Sequence, residues 1–241
     1  MKLKAVLFDL DGTLLPMDLG KFLEAYFVLL SKRLVPHGYD PKKLVKAIWS
    51  CTGAMIANDG SVTNEQAFWN AFSAIYGEDS KKSAPYFEEF YHEDFDSLRD
   101  ICGYNPRAKE IVDLVRSNGL RVVLATSPLY PAIATQKRIC WTGLSPDDFE
   151  LITTFENYHY AKPDPAYYIE VLQAIGLSAE ECLMVGNDVE EDMIAKTLGM
   201  KVFLLTESLI NKYEKDISVY PHGDWDDFLN YLNACIEKGA D

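Results

Sequence analysis

The chain has 241 residues, and its 37 Asp and Glu outnumber its 23 Lys and Arg, for a formal net charge of −14. That sign disfavours nucleic acid and anionic membrane as partners, yet admits a small phosphorylated molecule wherever a local cation reverses the field inside a pocket. A hydrophobic share of 48% suffices for a core, and the scattered cysteines, Cys51, Cys102, Cys140, Cys182 and Cys235, argue against a disulfide framework or a zinc site.

The first element is a buried strand. Ala5 to Phe8 is a continuous apolar run leading straight into Asp9, which suits a strand covered on both faces. Asp9, Asp11, Gly12 and Thr13 follow at its carboxyl end, where open α/β sheets bind ligands. Asp-Gly alone is an ordinary turn pair. Two carboxylates one residue apart repel when both are ionised, and a divalent cation or a proton on one of them resolves that. Lys2 and Lys4 precede only four apolar residues, so no signal peptide is expected. Nor is any apolar run long enough to span a bilayer, and a cytoplasmic protein is expected.

From Pro16 to Cys102 the pattern becomes helical. Leu19, Phe22, Leu23, Tyr26, Phe27 and Leu30 recur at helical spacing behind Asp18 as N-cap. Asp40-Pro41 opens a second helix, with proline at its first position. Thr63 with Gln66 reads as a capping box before a third, and a fourth is expected around Phe87, Phe90 and Tyr91. The aromatics of this block are expected mainly to pack helix against helix. The acidic cluster Glu88, Glu89, Glu93, Asp94 and Asp96 is expected to be a solvated face, and His37 and His92 surface or packing residues.

Strand and helix then alternate. A helix is predicted over Pro106 to Asn118 and a short apolar strand over Arg121 to Ala125, ending in Thr126-Ser127-Pro128. A hydroxyl and adjacent backbone N–H groups at a strand end suit phosphate oxygens, although the same residues also simply start loops. A helix over Pro131 to Trp141 and a strand over Leu151 to Phe155 follow. Lys162-Pro163-Asp164-Pro165 then leads into a helix from Tyr167 to Ile175, with His159 read as a loop residue. A lysine in such a loop is unremarkable by itself, since most lysines are solvated.

After the strand Cys182 to Val185 comes Gly186-Asn187-Asp188-Val189-Glu190-Glu191-Asp192. Carboxylates after a glycine at a strand end make a hard-oxygen cation site, and the absence of Cys and His favours Mg²⁺ over zinc. The helix dipole would equally favour an acidic helix start here. Lys201 to Leu205 is the fifth strand, Thr206 to Gly223 reads as irregular, and Asp224 to Lys238 is a closing helix.

These four strand-end motifs, in this order, resemble those of the haloacid dehalogenase-like hydrolase superfamily. The resemblance covers Lys4 to Leu205 and starts from KAVLFDLDGTLL. It implies a Rossmann-like, parallel five-stranded sheet in the order 5-4-1-2-3, built from residues 1–15 and 104–241. Residues 16–103 would form an inserted helical cap of the C1 type, hinged at Leu15-Pro16-Met17 and Gly103-Tyr104-Asn105. It implies a Mg²⁺-dependent phosphatase acting on a small phosphorylated metabolite. Asp9 would be nucleophile and Asp11 general acid/base. Thr126 and Lys162 would hold the phosphoryl oxygens, with Ser127 beside them where the family commonly has Asn.

The metal would rest on Asp9, the Asp11 carbonyl and Asp188, with Asp192 acting through water. A register aligned back from Gly199 would instead put Asn187 and Glu191 at the metal positions. A phosphomutase would share every one of these residues. A dehalogenase has no need of Asp11, and a binding protein without turnover is the alternative from another class.

Overall fold

The computed structural model describes residues 2–237. At its centre is β1 (Ala5–Phe8), each of whose four residues is fully buried. It pairs in parallel with β2 (Arg121–Leu124) on one side and with β4 (Cys182–Gly186) on the other. β3 (Leu151–Ile152) extends the sheet beyond β2, and β5 (Lys201–Leu205) beyond β4. A sixth strand, β6 (His222–Gly223), pairs in parallel with the end of β5, so the order is β3-β2-β1-β4-β5-β6.

The expected five strands are therefore present in the expected order, with one more at the edge. That strand lies inside the stretch expected to be irregular, and two residues are too few to carry an alternating pattern. β3 is likewise shorter than predicted.

Successive strand residues face opposite sides of the sheet. Val6 and Phe8 join a core with Val122, Leu124, Val185 and Phe203, closed by α5 (Arg107–Ser117) and α8 (Trp225–Glu237). Phe228 of α8 packs edge-on against Phe8, with ring centroids 6.1 Å apart. Ala5 and Leu7 belong to the other core, with Met184 and Leu204, covered by Tyr167, Tyr168 and Val171 of α7 (Pro165–Ile175). A sheet shielded on both faces explains the uninterrupted apolar strands.

Between β1 and α5 lies the helical insertion, with α1 (Leu19–Leu34), α2 (Pro41–Ile56), α3 (Asn64–Tyr76) and the short α4 (Ala84–Glu89). The caps are those the sequence indicates. The Asp18 carboxylate accepts from the Lys21 N–H at 3.1 Å and that of Asp40 from the Lys43 N–H at 2.8 Å, while Thr63 and Gln66 close a reciprocal capping box. After α4 the chain widens into a π-helical turn, Phe90–Asp94, and then tightens into a 3₁₀ stretch, Phe95–Ile101.

The insertion is docked on the sheet domain. Phe95 stacks on Trp141 at 5.3 Å, and Lys137 of α6 (Ala132–Trp141) donates to Asp96 at 2.6 Å. The acidic face is not merely solvated, because Arg33 pairs with Asp94 at 2.6 Å and with Glu93 at 2.8 Å. His37 stacks on Tyr86 at 3.5 Å, a packing role. Among the described residues, no helix is long and apolar enough to cross a membrane.

Candidate active site

The parallel sheet brings the carboxyl ends of β1, β2 and β4 side by side, and the loops leaving them carry the candidate residues. Asp9 directly follows β1, and its N–H donates to the Val185 carbonyl of β4 at 2.9 Å. The turn behind it needs glycine. Gly12 has φ +86°, and a Cβ there would run into the Asn187 amide. Thr13 donates its hydroxyl to Asn187 Oδ1 at 2.9 Å, and Asn187 Nδ2 donates to the Ser208 carbonyl at 2.7 Å. Asn187 thus ties the loop after β4 to the loop after β1 through neutral hydrogen bonds.

Lys162 arrives from the loop before α7 and is 1% exposed. Its ammonium donates to Asp9 Oδ1 at 2.9 Å and to Asp192 Oδ1 at 2.6 Å. The other Asp192 oxygen accepts from the Asp188 N–H at 2.9 Å. A Cβ at Gly186 would occupy the place of the Asp192 carboxylate, which explains the glycine that ends β4.

Two carboxylates thus share one buried cation. Burial works against the Lys162 charge, but Asp192 and Asp9 outweigh it and hold the lysine pKa well above its usual value. The surplus negative charge falls on Asp9. Burial first, then the neighbouring Asp192 and Asp11, push its pKa up to about 7 against the pull of Lys162.

Asp188 uses Oδ1 to cap its own loop, accepting from the Glu190 N–H at 2.7 Å and the Glu191 N–H at 2.9 Å. Burial is the main cause that raises its pKa above the ordinary carboxylate value. Instead of an acidic helix start, the loop is a turn leading into a 3₁₀ stretch, Met193–Leu198. Tyr168 donates to the Glu191 carbonyl at 2.9 Å, and burial raises the Glu191 side chain to about 8. The four residues of this motif therefore sit in different environments. Asp192 lies on the lysine and Asn187 on Thr13. Asp188 caps the turn, while the Glu191 carboxyl has no hydrogen-bond partner among the described residues.

Thr126 is buried at the end of β2, and its carbonyl accepts from the Thr153 hydroxyl at 2.5 Å and the Tyr167 hydroxyl at 3.0 Å. This fixes the peptide leading to Ser127, whose hydroxyl is buried without a partner among the described residues. His159, expected to be a plain loop residue, has its ring Nδ1 2.7 Å from Glu170.

Sequence reasoning missed Arg138. It lies on the buried side of α6, is 1% exposed, and forms an ion pair with Asp11 Oδ2. Its guanidinium lies over the Tyr130 ring, 4.4 Å from the centroid. Asp11 Oδ1 is buried without a partner among the described residues. A detectable signal was there, since Arg138 interrupts the apolar stripe of Ala134 and Ile139 with a charge, which needs a partner when buried. That the partner stands 127 residues away could not be read.

The model of a hydrolase family, haloacid dehalogenase-like hydrolase, matches residues 3–199. The chain belongs to the haloacid dehalogenase-like hydrolases. Among relatives in this family is a phosphoglycolate phosphatase from Rhodospirillum rubrum, 27% identical over 84% of this chain and 79% of its own. Another is the pyrophosphatase PpaX from Bacillus velezensis, 24% identical over 83% of this chain and 82% of its own.

Solved structures with the same fold include a 2-haloacid dehalogenase from Pseudomonas syringae, with TM-score 0.65, 18% identity, and 96% of this chain and 99% of that one covered. A HAD phosphatase from Thermococcus onnurineus has TM-score 0.58 and 19% identity, with 96% and 98% of the two chains covered. The haloacid dehalogenase-like fold expected from the motifs is thus the fold of this chain.

Proposed function

We propose that this hydrolase cleaves small phosphate monoesters through a phosphoryl group carried transiently on Asp9. The observation that supports this most is the buried Lys162 held between Asp9 and Asp192 at the sheet's carboxyl edge. A fully desolvated lysine with two carboxylates suits a site that must hold a phosphoryl dianion beside an aspartate. Residues 1–15 and 104–241 form the catalytic core in this reading, and 16–103 the cap that shuts water out.

The donor set fits a magnesium ion. Asp9 and Asp188 each have one carboxylate oxygen engaged within the protein, which leaves the second for a cation, and the Asp11 carbonyl supplies a third hard oxygen. Among the described residues no three His, Cys, Asp or Glu side chains cluster as a cage. Bound there, the ion would offset charge on Asp9 and on the phosphoryl oxygens. The pairing of Asp192 with Lys162 favours Asp188 over Asp192 as the ligand, with Asn187 and Glu191 the less suited register.

A carboxylate oxygen of Asp9 attacks phosphorus and the ester P–O bond breaks. Asp11 gives its proton to the departing alkoxide. It then takes a proton from water, whose oxygen attacks the same phosphorus, releasing phosphate and restoring Asp9. The partner-free Oδ1 is the Asp11 oxygen suited to carry that proton, while Arg138 holds Oδ2. Lys162 binds the phosphoryl oxygens together with the hydroxyls of Thr126 and Ser127.

The test is phosphate release from a monoester panel, with and without magnesium, by the wild type and Asp9→Asn. Magnesium-dependent release that the variant loses is expected, and wild-type turnover by Asp9→Asn would remove the mechanism.

A further inference from the structure

Beneath the helical insertion lies a cavity of about 270 Å³. Its upper wall is aromatic, including Phe27, Trp49, Phe68 and Trp69. Its lower wall comes from the loops of the candidate site, with Leu129 and Tyr130 just beyond Ser127, and Glu191 just before Asp192. Tyr130 also carries the guanidinium of Arg138, which pairs with Asp11. The cavity is therefore walled in part by the loops that carry the candidate site, the side from which the alcohol half of a bound ester would extend.

Its polarity is informative. Among the described residues, no Lys, Arg or His lines it. Of the wall's hydroxyls, Tyr26 pairs with Tyr91 at 2.9 Å and Thr52 donates to the Ile48 carbonyl at 3.0 Å, while that of Tyr130 has no hydrogen-bond partner among the described residues. Glu191 brings the wall's one carboxyl among the described residues, and nothing there donates to it. A half-buried carboxyl facing an apolar chamber lacks a donor in either protonation state, and a ligand that brings an N–H group supplies one. An anionic group in its place would be repelled by the ionised carboxylate and would find no cation on the wall.

We propose that the cavity selects phosphate esters of an apolar, ring-bearing alcohol that carries an ammonium or other N–H group, with Glu191 receiving that group. The volume suits one ring with a short arm, at the low end of the roughly 300–1,000 Å³ of small-molecule sites. Rings stack on the aromatic wall, and a cation gains further from the aromatic faces. This assignment rests on the phosphatase reading for its chemistry, but not for binding. It also separates the chain from the phosphoglycolate phosphatase and the pyrophosphatase it resembles, whose named substrates are small and anionic throughout.

The experiment uses three phenyl phosphates that differ only at the para position: aminoethyl, unsubstituted and carboxyethyl. For the wild type, kcat/KM is expected to fall in that order, with about tenfold or more between cation and anion. Glu191→Gln is expected to shrink that ratio severalfold. Binding of the free alcohols, tyramine against hydroxyphenylpropionate, is read separately from tryptophan fluorescence, because Trp49 and Trp69 line the chamber.

Turnover of all three esters without charge preference, or with the anion preferred, would overturn the assignment and leave the phosphatase reading standing. Tyramine binding that weakens in Glu191→Gln, without turnover of any ester, would support the chamber's assignment and sink the phosphatase reading. Binding of neither alcohol, with no preference among the esters, would overturn the assignment outright.

Discussion

Replacing Asp9 with Asn turns the crowded charge at the sheet edge into a measurable stability difference. Burial raises the Asp9 pKa from 3.8 to about 7 in the folded chain. The folded state therefore holds a proton that the unfolded state releases between those values, and stability falls as pH rises through that window. Below pH 3.8 the carboxyl is protonated in both states and contributes no difference. The gap is about three pKa units, and each unit corresponds to about 1.4 kcal/mol, which sets an upper bound of about 4 kcal/mol by pH 7.

Asn cannot ionise and keeps nearly the same shape. Asp9→Asn should therefore match the wild type near pH 4 and become increasingly the more stable protein toward pH 7, by about 2–4 kcal/mol. Urea unfolding of both proteins in chelator, at half-unit pH steps, measures the difference directly. Magnesium added to the wild type near pH 7 should recover much of the loss, since a cation beside Asp9 stabilises its charge. A difference that stays flat across the window, or that grows in the wild type's favour, would refute the charge argument.

Other substitutions probe neighbouring parts of the site. Lys162→Met leaves Asp9 and Asp192 buried without their cation. It should cost about 3–5 kcal/mol of unfolding free energy at pH 7 and at least about a hundredfold in phosphate release. Arg138→Met frees Asp11 from its buried partner and should lower kcat/KM by about a hundredfold, with Arg138→Lys recovering part of it in the same assay. Asn64, fully buried, donates to the Pro128 carbonyl at 3.2 Å and the Tyr160 carbonyl at 3.3 Å, joining the insertion to the loops of the site. Asn64→Ala should destabilise by about 1–3 kcal/mol in denaturant and speed proteolysis of the insertion.

The strands at the centre of the fold were legible because burial on both faces demands unbroken apolar runs, as in Ala5–Phe8 and Cys182–Gly186. The helix starts of the insertion were legible because Asp18, Asp40 and Thr63 cap locally, within three residues. Local chemistry says nothing about partners far along the chain, and Arg138 on Asp11 is the clearest loss of that kind.

The acidic loop after Gly186 shows the same limit. Its composition marked it, yet only contact with Lys162 from one side and Thr13 from the other distinguishes Asp192 from Asn187. β6 escaped because its pairing depends on the end of β5, not on any pattern of its own. The aromatics of the insertion were rightly expected to pack together, as Phe68, Phe72 and Phe87 do, but composition could not show the hollow they enclose.

The two segments that join the insertion to the sheet domain run side by side, with the Gly103 N–H donating to the Pro16 carbonyl at 2.8 Å. A Cβ on Gly103 would come within 2.8 Å of the Pro16 ring, so glycine allows the two to lie this close. Entry and exit thus share a single doorway, and the strands beyond it never thread through the helices. Such a module could be traded for another of different length or shape while the sheet stayed as it is. If the proposed division of labour holds, selectivity and chemistry can then evolve on separate schedules within one gene.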